Sequence, residues 1–276
     1  MRHAVCVIGY GNQANVLQKT INVLDDKDID FFIHWDARYK IPNLQSNLST
    51  IYFVKNRIAV KWGGQSQIAA TLLLLKLVKK SISSYDYVHL ISCNDIPLMT
   101  SDYFKSYFTD NTYIGFDNSF TGKDLKERIG FYYPGDLDFR RQKTTAKVFK
   151  LANVILNINR IKKRSKINFK KGPNWFSIKE KYVPEILNFD NSIFMHGYCA
   201  DELVVQTILG RFESQEPKSN TDNYQAARYI DWNRGMPYVF TSKDVDELRG
   251  KVNTKFAFAR KVNDPSIVDA IFDRVK

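Results

Sequence analysis

The chain is short of cysteine, with three in 276 residues, at Cys6, Cys93 and Cys199. An odd number so widely spaced offers no disulfide framework and no CxxC pair. It excludes a small disulfide-stapled fold and fits a reducing compartment. No apolar run approaches the ~18 residues of a membrane-spanning helix. The opening apolar run, residues 4–9, is too short for a secretion signal and reads as a first strand. The expected location is therefore the cytoplasm, with room for a peripheral contact at the inner face of the cell membrane. Histidine is scarce too. His3, His34, His89 and His196 are scattered without metal-ligand spacing, and His89 falls mid-strand, where a packed core residue is the ordinary reading. There is no internal repeat and no Pro/Gly/Ser-rich linker, so a single domain over 1–276 is expected, with a nucleotide-sugar half (1–115) and an acceptor and catalytic half (116–276).

What is abundant is apolar residue and positive charge. Hydrophobic residues make up 44%, which supports a sizeable core and argues against a disordered chain. Lys and Arg total 41 against 29 acids, for a net charge of +12, so an anionic partner is indicated. Nucleic acid is the weaker choice. The densest basic run, Arg160 to Lys166, has little aromatic interleaving, and an anionic membrane surface suits it at least as well.

Strand and helix patterns alternate in the first half. Strands are expected at 4–9, 30–34, 50–54 and 87–92, and helices at 13–24 and 66–81. That β-α-β-β-α-β order implies a mostly parallel sheet covered by helices. The second half is less regular. Helices are expected at 146–164, 180–188, 201–209 and 264–275, strands at 175–178 and 227–232, and a polar loop at 213–225.

The strand at 87–92 ends in Ser92-Cys93-Asn94-Asp95, a polar tip closed by Pro97. Ligands of open α/β sheets sit at strand carboxyl ends, so chemistry is expected there. Gly9-Tyr10-Gly11 follows the first strand. It suits close backbone approach to a nucleotide, or an ordinary βα turn, but it is not the GxGxxG of a dinucleotide site. Asp36, after the second strand, reads as a base or ribose acceptor or as an exposed turn acid. Lys61-Trp62-Gly63-Gly64 precedes a helix, whose cap is expected at Gln65 or Ser66. Asp201 and Glu202 open another helix. One acid suffices for capping, which leaves Glu202 as a possible general base. Asp136-Leu137-Asp138 has the form of a metal-binding DxD. It follows Pro134-Gly135, away from the strand ends, and is read as a decoy.

Taken in order, Phe32 to Asp36, Val60 to Gly64, Leu90 to Leu98, Lys171 to Ser177, Ala200 to Glu202, Arg228 to Trp232 and Phe258 to Lys261 resemble the core-2/I-branching glycosyltransferases (glycosyltransferase family 14), in a short bacterial form. The resemblance implies a GT-A-like, Rossmann-type nucleotide-sugar-binding α/β fold with a mostly parallel central sheet flanked by helices. It implies transfer from a UDP-sugar with inversion, and no metal or other cofactor. By resemblance Glu202 is the catalytic base. Arg228 and Lys261 hold the donor diphosphate. Gly9, Tyr10, Gly11, Asp36 and Lys61 contact the nucleotide, and Asp95 lies on the cleft floor. Glu127, Arg128 and Trp175 fall on the acceptor side. The implied partners are a UDP-sugar and a glycan or lipid-linked oligosaccharide acceptor, in cell-surface or exopolysaccharide synthesis. The reading from another class is a non-catalytic nucleotide- or polyanion-binding module.

Overall fold

A computed structural model describes residues 1–109, 111–162, 164, 166–213 and 222–273. Nine strands are described: β1 (His3–Gly9), β2 (Ile29–Trp35), β3 (Ile51–Phe53), β4 (Tyr87–Ser92), β5 (Asp95–Pro97), β6 (Tyr113–Ile114), β7 (Phe176–Lys179), β8 (Arg228–Ile230) and β9 (Phe258–Arg260). The helices are α1 (Asn15–Val23), α2 (Gln65–Lys79), α3 (Ser101–Tyr107), α4 (Gly122–Leu125), α5 (Lys143–Ile155), α6 (Val183–Asn188), α7 (Asp201–Ile208), α8 (Asp222–Gln225), α9 (Val245–Arg249) and α10 (Ser266–Phe272).

The main sheet has the order β3-β2-β1-β4-β7-β6. Its first four strands are parallel, and β7 and β6 pair antiparallel at the far side. Both faces are covered, as a parallel sheet requires. Period-2 alternation divides β1 between them. Ala4, Cys6 and Ile8 join the layer of α2, α6 and α7, while Val5 and Val7 join that of α1 and α3. The first-half elements thus lie where the hydrophobic pattern puts them.

Two expectations change. The helix expected at 146–164 spans only Lys143–Ile155, because Asn157 takes a positive φ of 49°, which breaks the helical path. A second sheet, β5-β9-β8, is present that periodicity did not reveal, since each strand has only three residues. Pro97 lies inside its edge strand β5, a position that tolerates a missing donor. Lys163 and Ser165 of the basic run, 214–221 of the expected loop and 274–276 of the last helix lie outside the described residues.

A buried polar chain runs beneath the sheet. His3 Nδ1 and His89 Nε2 are 3.0 Å apart, and His89 Nδ1 is 2.8 Å from Ser177 Oγ. Burial pushes His3 down to about 3 and His89 well below its ordinary value. Both are neutral in the native state, whereas in the unfolded chain they titrate near 6.5. Below that pH the unfolded state binds protons the native state refuses, so stability falls as pH drops. Asp201 has the opposite sign, since its native pKa is raised and its contribution grows as pH falls. Urea unfolding from pH 7 to 5 should show net destabilisation, with about 1.4 kcal/mol per pH unit for each buried histidine once well below 6.5. His89→Gln should flatten the profile and Asp201→Asn should steepen it. Stability that is level or rising toward pH 5 in the native chain would contradict the assignment.

Candidate active site

The carboxyl ends of β1 and β4 meet the small sheet. Gly9 ends β1 with no room for a side chain, since a Cβ there would lie 2.2 Å from the Trp35 ring. The chain then wraps that indole. Gly11, at φ +97°, accepts Trp35 Nε1 at 3.1 Å, and Tyr10 is left half exposed. Beyond β4, the buried Asp95 closes the turn by accepting Ser92 N at 2.6 Å and Ser92 Oγ at 3.0 Å. Its remaining acceptor capacity takes Arg260 Nη1 at 2.7 Å, because Asp95 and Arg260 face each other across the β5–β9 pair. The guanidinium of Arg260 also lies 4.1 Å over the Trp175 ring.

Lys261 follows immediately and is half-buried. Burial lowers its pKa first, and the charges of Arg260 and Arg140 lower it further. Burial raises the Tyr10 pKa, and the nearby charges of Arg260 and Arg140 oppose that rise. Arg140 in turn stacks 4.6 Å over Trp62. Three cations therefore surround the end of β1, balanced at close range by Asp95 alone among the charged groups named. Such crowding is relieved by a bound anion.

A further charged group lies at the start of α7. Glu202 Oε2 pairs with Arg128 Nη1 at 2.9 Å and is about a third exposed. Arg128 is fixed by Cys199 O at 2.9 Å and by the Tyr198 ring. Asp201 is buried and does not cap the helix, whose N-cap is Ala200. One of its oxygens, Oδ1, has no hydrogen-bond partner. Burial, and then the charge of Glu202, hold its carboxyl well above the usual carboxylate range.

Two connections tie α7 to the cations. Cys199 N donates to Gly63 O at 2.8 Å, beside the Trp62 that carries Arg140. Gly172 N donates to Glu202 O at 3.0 Å, three residues before the Trp175 that carries Arg260. Gly172 is obligatory there, since a Cβ would lie 1.9 Å from Gly115 O.

A family comparison bears on this geometry. The model of the Core-2/I-Branching enzyme family matches residues 4–249 of the 276. The chain belongs to that family. No match was found among curated proteins. The transferase has the mixed α/β, GT-A-like architecture the resemblance implied. A glycosyltransferase of this family takes a nucleotide-sugar donor and a glycan acceptor. The match stops before Arg260 and Lys261, so their placement rests on the strand pairing alone.

Several expected contacts are corrected by the transferase's geometry. Arg228 does not reach the cleft. It is fully buried and donates to Ser177 Oγ, Ala226 O, Leu90 O and Phe176 O, over the Phe258 ring. Burial pulls its pKa down to about 9, with the Asp95 charge opposing. The cation beside Lys261 is Arg260, which the adjacent Arg-Lys pair could have signalled. Asp36 is buried and already saturated by Arg38 and by Val60 N at 3.0 Å, so it shapes the loop and has no lone pair left for a ribose. Glu127 turns away to Lys150 of α5, at 2.6 Å.

Lys61 Nζ donates to Asp136 O at 2.6 Å, and Asp136 Oδ1 accepts Ser66 N at 3.1 Å, so this acid caps α2 from another segment. Asp138 accepts Arg140 N and Arg141 N, each at 3.1 Å. Both acids of the DxD pattern therefore serve backbone positions. Among the described residues no three His, Cys, Asp or Glu side chains are grouped to hold a metal ion.

Arg228→Met should destabilise the protein by about 3 kcal/mol or more, since it strands buried acceptors. Affinity of the folded variant for UDP should be unchanged. A large loss of UDP affinity with normal stability would return Arg228 to the donor site.

Proposed function

We propose that the chain is an inverting, metal-independent glycosyltransferase that moves a sugar from a UDP-sugar to a glycan hydroxyl. Its product belongs to a cell-surface or exopolysaccharide glycan. The observation that carries this reading is that backbone hydrogen bonds tie the segment holding one acid to the segments holding three cations. Glu202, held by Arg128, is linked through Gly63 and Gly172 to the segments that carry Arg140, Arg260 and Lys261.

The chemistry follows from that arrangement. Glu202 accepts the acceptor hydroxyl's proton as its oxygen attacks C1 of the sugar. The bond from C1 to the diphosphate oxygen breaks on the opposite side, and the configuration inverts. Negative charge grows on the leaving UDP, where Lys261, Arg260 and Arg140 stand. Preorganised cations supply the stabilisation a divalent ion supplies elsewhere. Arg128 orients Glu202 through their ion pair. Tyr10 and the open backbone at Gly11 suit a nucleobase, and Trp175 offers an apolar face to a sugar ring. A hollow of about 240 Å³ lined by Asp117, Phe120, Phe169 and Lys171 adjoins the Gly172 connection and suits a polar acceptor. In this reading the acceptor is lipid-linked and the enzyme works at the inner face of the cell membrane.

Glu202→Gln tests the reading. Transfer, followed by UDP release, should fall ~1000-fold or more while UDP affinity stays near native, because only the proton acceptor is lost. Native turnover should persist in EDTA. Near-normal transfer by the variant would remove Glu202 as base, and strict dependence on Mn²⁺ would bring Asp136 and Asp138 back as ligands. Binding of UDP with no sugar ever released from any UDP-sugar would leave a nucleotide-binding module.

A further inference from the structure

α5 is attached to the body by one face only. Asn153 is buried and bonds to both backbone groups of Tyr132, and Phe149 packs against the cluster of Phe131, Tyr133, Leu137 and Phe139. The outer face is apolar. At 100° per residue Thr144, Val148, Leu151 and Ile155 fall within an arc of about 60°, and Lys143, Lys147 and Val154 occupy the next ~40°. Val148 is 59% exposed, Leu151 60% and Ile155 72%, and Leu156 continues the patch at 69%. Lys143 and Lys147 form no ion pair among the described residues.

We propose that this face of α5 docks the enzyme on an anionic lipid bilayer. An apolar stripe with lysines along its border is the form of a helix lying in the membrane interface. The sequence that carries the helix holds charge of one sign. No Asp or Glu occurs between Asp138 and Glu180, a stretch that holds thirteen Lys and Arg. A second copy of the chain is a poorer occupant, because it would bring its own α5 lysines and no α5 acid to meet them. Anionic headgroups complement the same lysines.

The helix also adjoins the site. Lys150 reaches Glu127, the neighbour of the Arg128 that holds Glu202, and Arg140 lies just ahead of α5. Docking through α5 would set the active site beside the lipid surface. The proposal locates the membrane contact that the transferase reading leaves open, and it is tested by a separate readout, so either can fail alone.

The test is cosedimentation of the full chain with phosphatidylcholine vesicles with and without phosphatidylglycerol. The native protein should bind only the anionic vesicles and be released by high salt. Lys143→Glu with Lys147→Glu should weaken binding by at least ~10-fold. Leu151→Glu with Ile155→Glu, exposed positions that leave the core untouched, should abolish it. UDP release with a soluble acceptor should be unaltered in both variants. Absence of binding to the anionic vesicles, or equal binding by native and variant proteins, would overturn the proposal. So would a native dimer that dissociates in the Leu151/Ile155 variant and binds no vesicle.

Discussion

One buried carboxylate holds the two sheets of this protein in register. Asp95 has under 2% of its surface exposed, and its oxygens are divided between Ser92, which ends the central strand, and Arg260, which belongs to the small sheet. A buried carboxylate without partners would be protonated or would not fold in place. Its partners here come from sequence positions 168 residues apart, so meeting them fixes the tertiary arrangement. The consequence is chemical as well as structural. Because Arg260 is anchored at Asp95 and laid over Trp175, the next residue, Lys261, is delivered to the strand ends where a donor would lie.

The same economy explains the acids that look as if they should bind metal. Asp136 has an acceptor role at the start of α2, and Gly64 is a glycine because a Cβ there would lie 2.5 Å from the Asp136 carboxylate. Asp138 organises the turn that presents Arg140. The DxD segment thereby positions a cation of the proposed site. Positive charge is thus assembled from two backbone segments, each braced by an acid or an aromatic ring. That bracing limits the reorganisation needed when charge develops on a leaving group.

The first half of the fold was legible because β1, β2 and β4 are fully buried apolar runs and α2 is a long helix against them; period and length suffice for such elements. The second sheet was not legible, since three-residue strands such as 95–97 and 258–260 have no measurable period. Glu202 and Lys261 were named from motif order, and Asp95 from its place after a buried strand. Arg228 was misjudged because a sequence motif does not say which way a side chain points. Its carbonyl partners at Leu90, Phe176 and Ala226 become neighbours only after folding. Arg128 was named for the acceptor side, but its hold on Glu202 spans 74 residues and carries no local signal.

The central claim is that fixed cations beside Asp95 seat the donor diphosphate. It is tested most directly by titration calorimetry of UDP into metal-free protein at several salt concentrations. The account predicts that native affinity weakens steadily as salt rises and that Lys261→Met loses ~10-fold or more at low salt, with a shallower salt dependence. Native-like affinity in Lys261→Met, with the salt dependence unchanged, would contradict it.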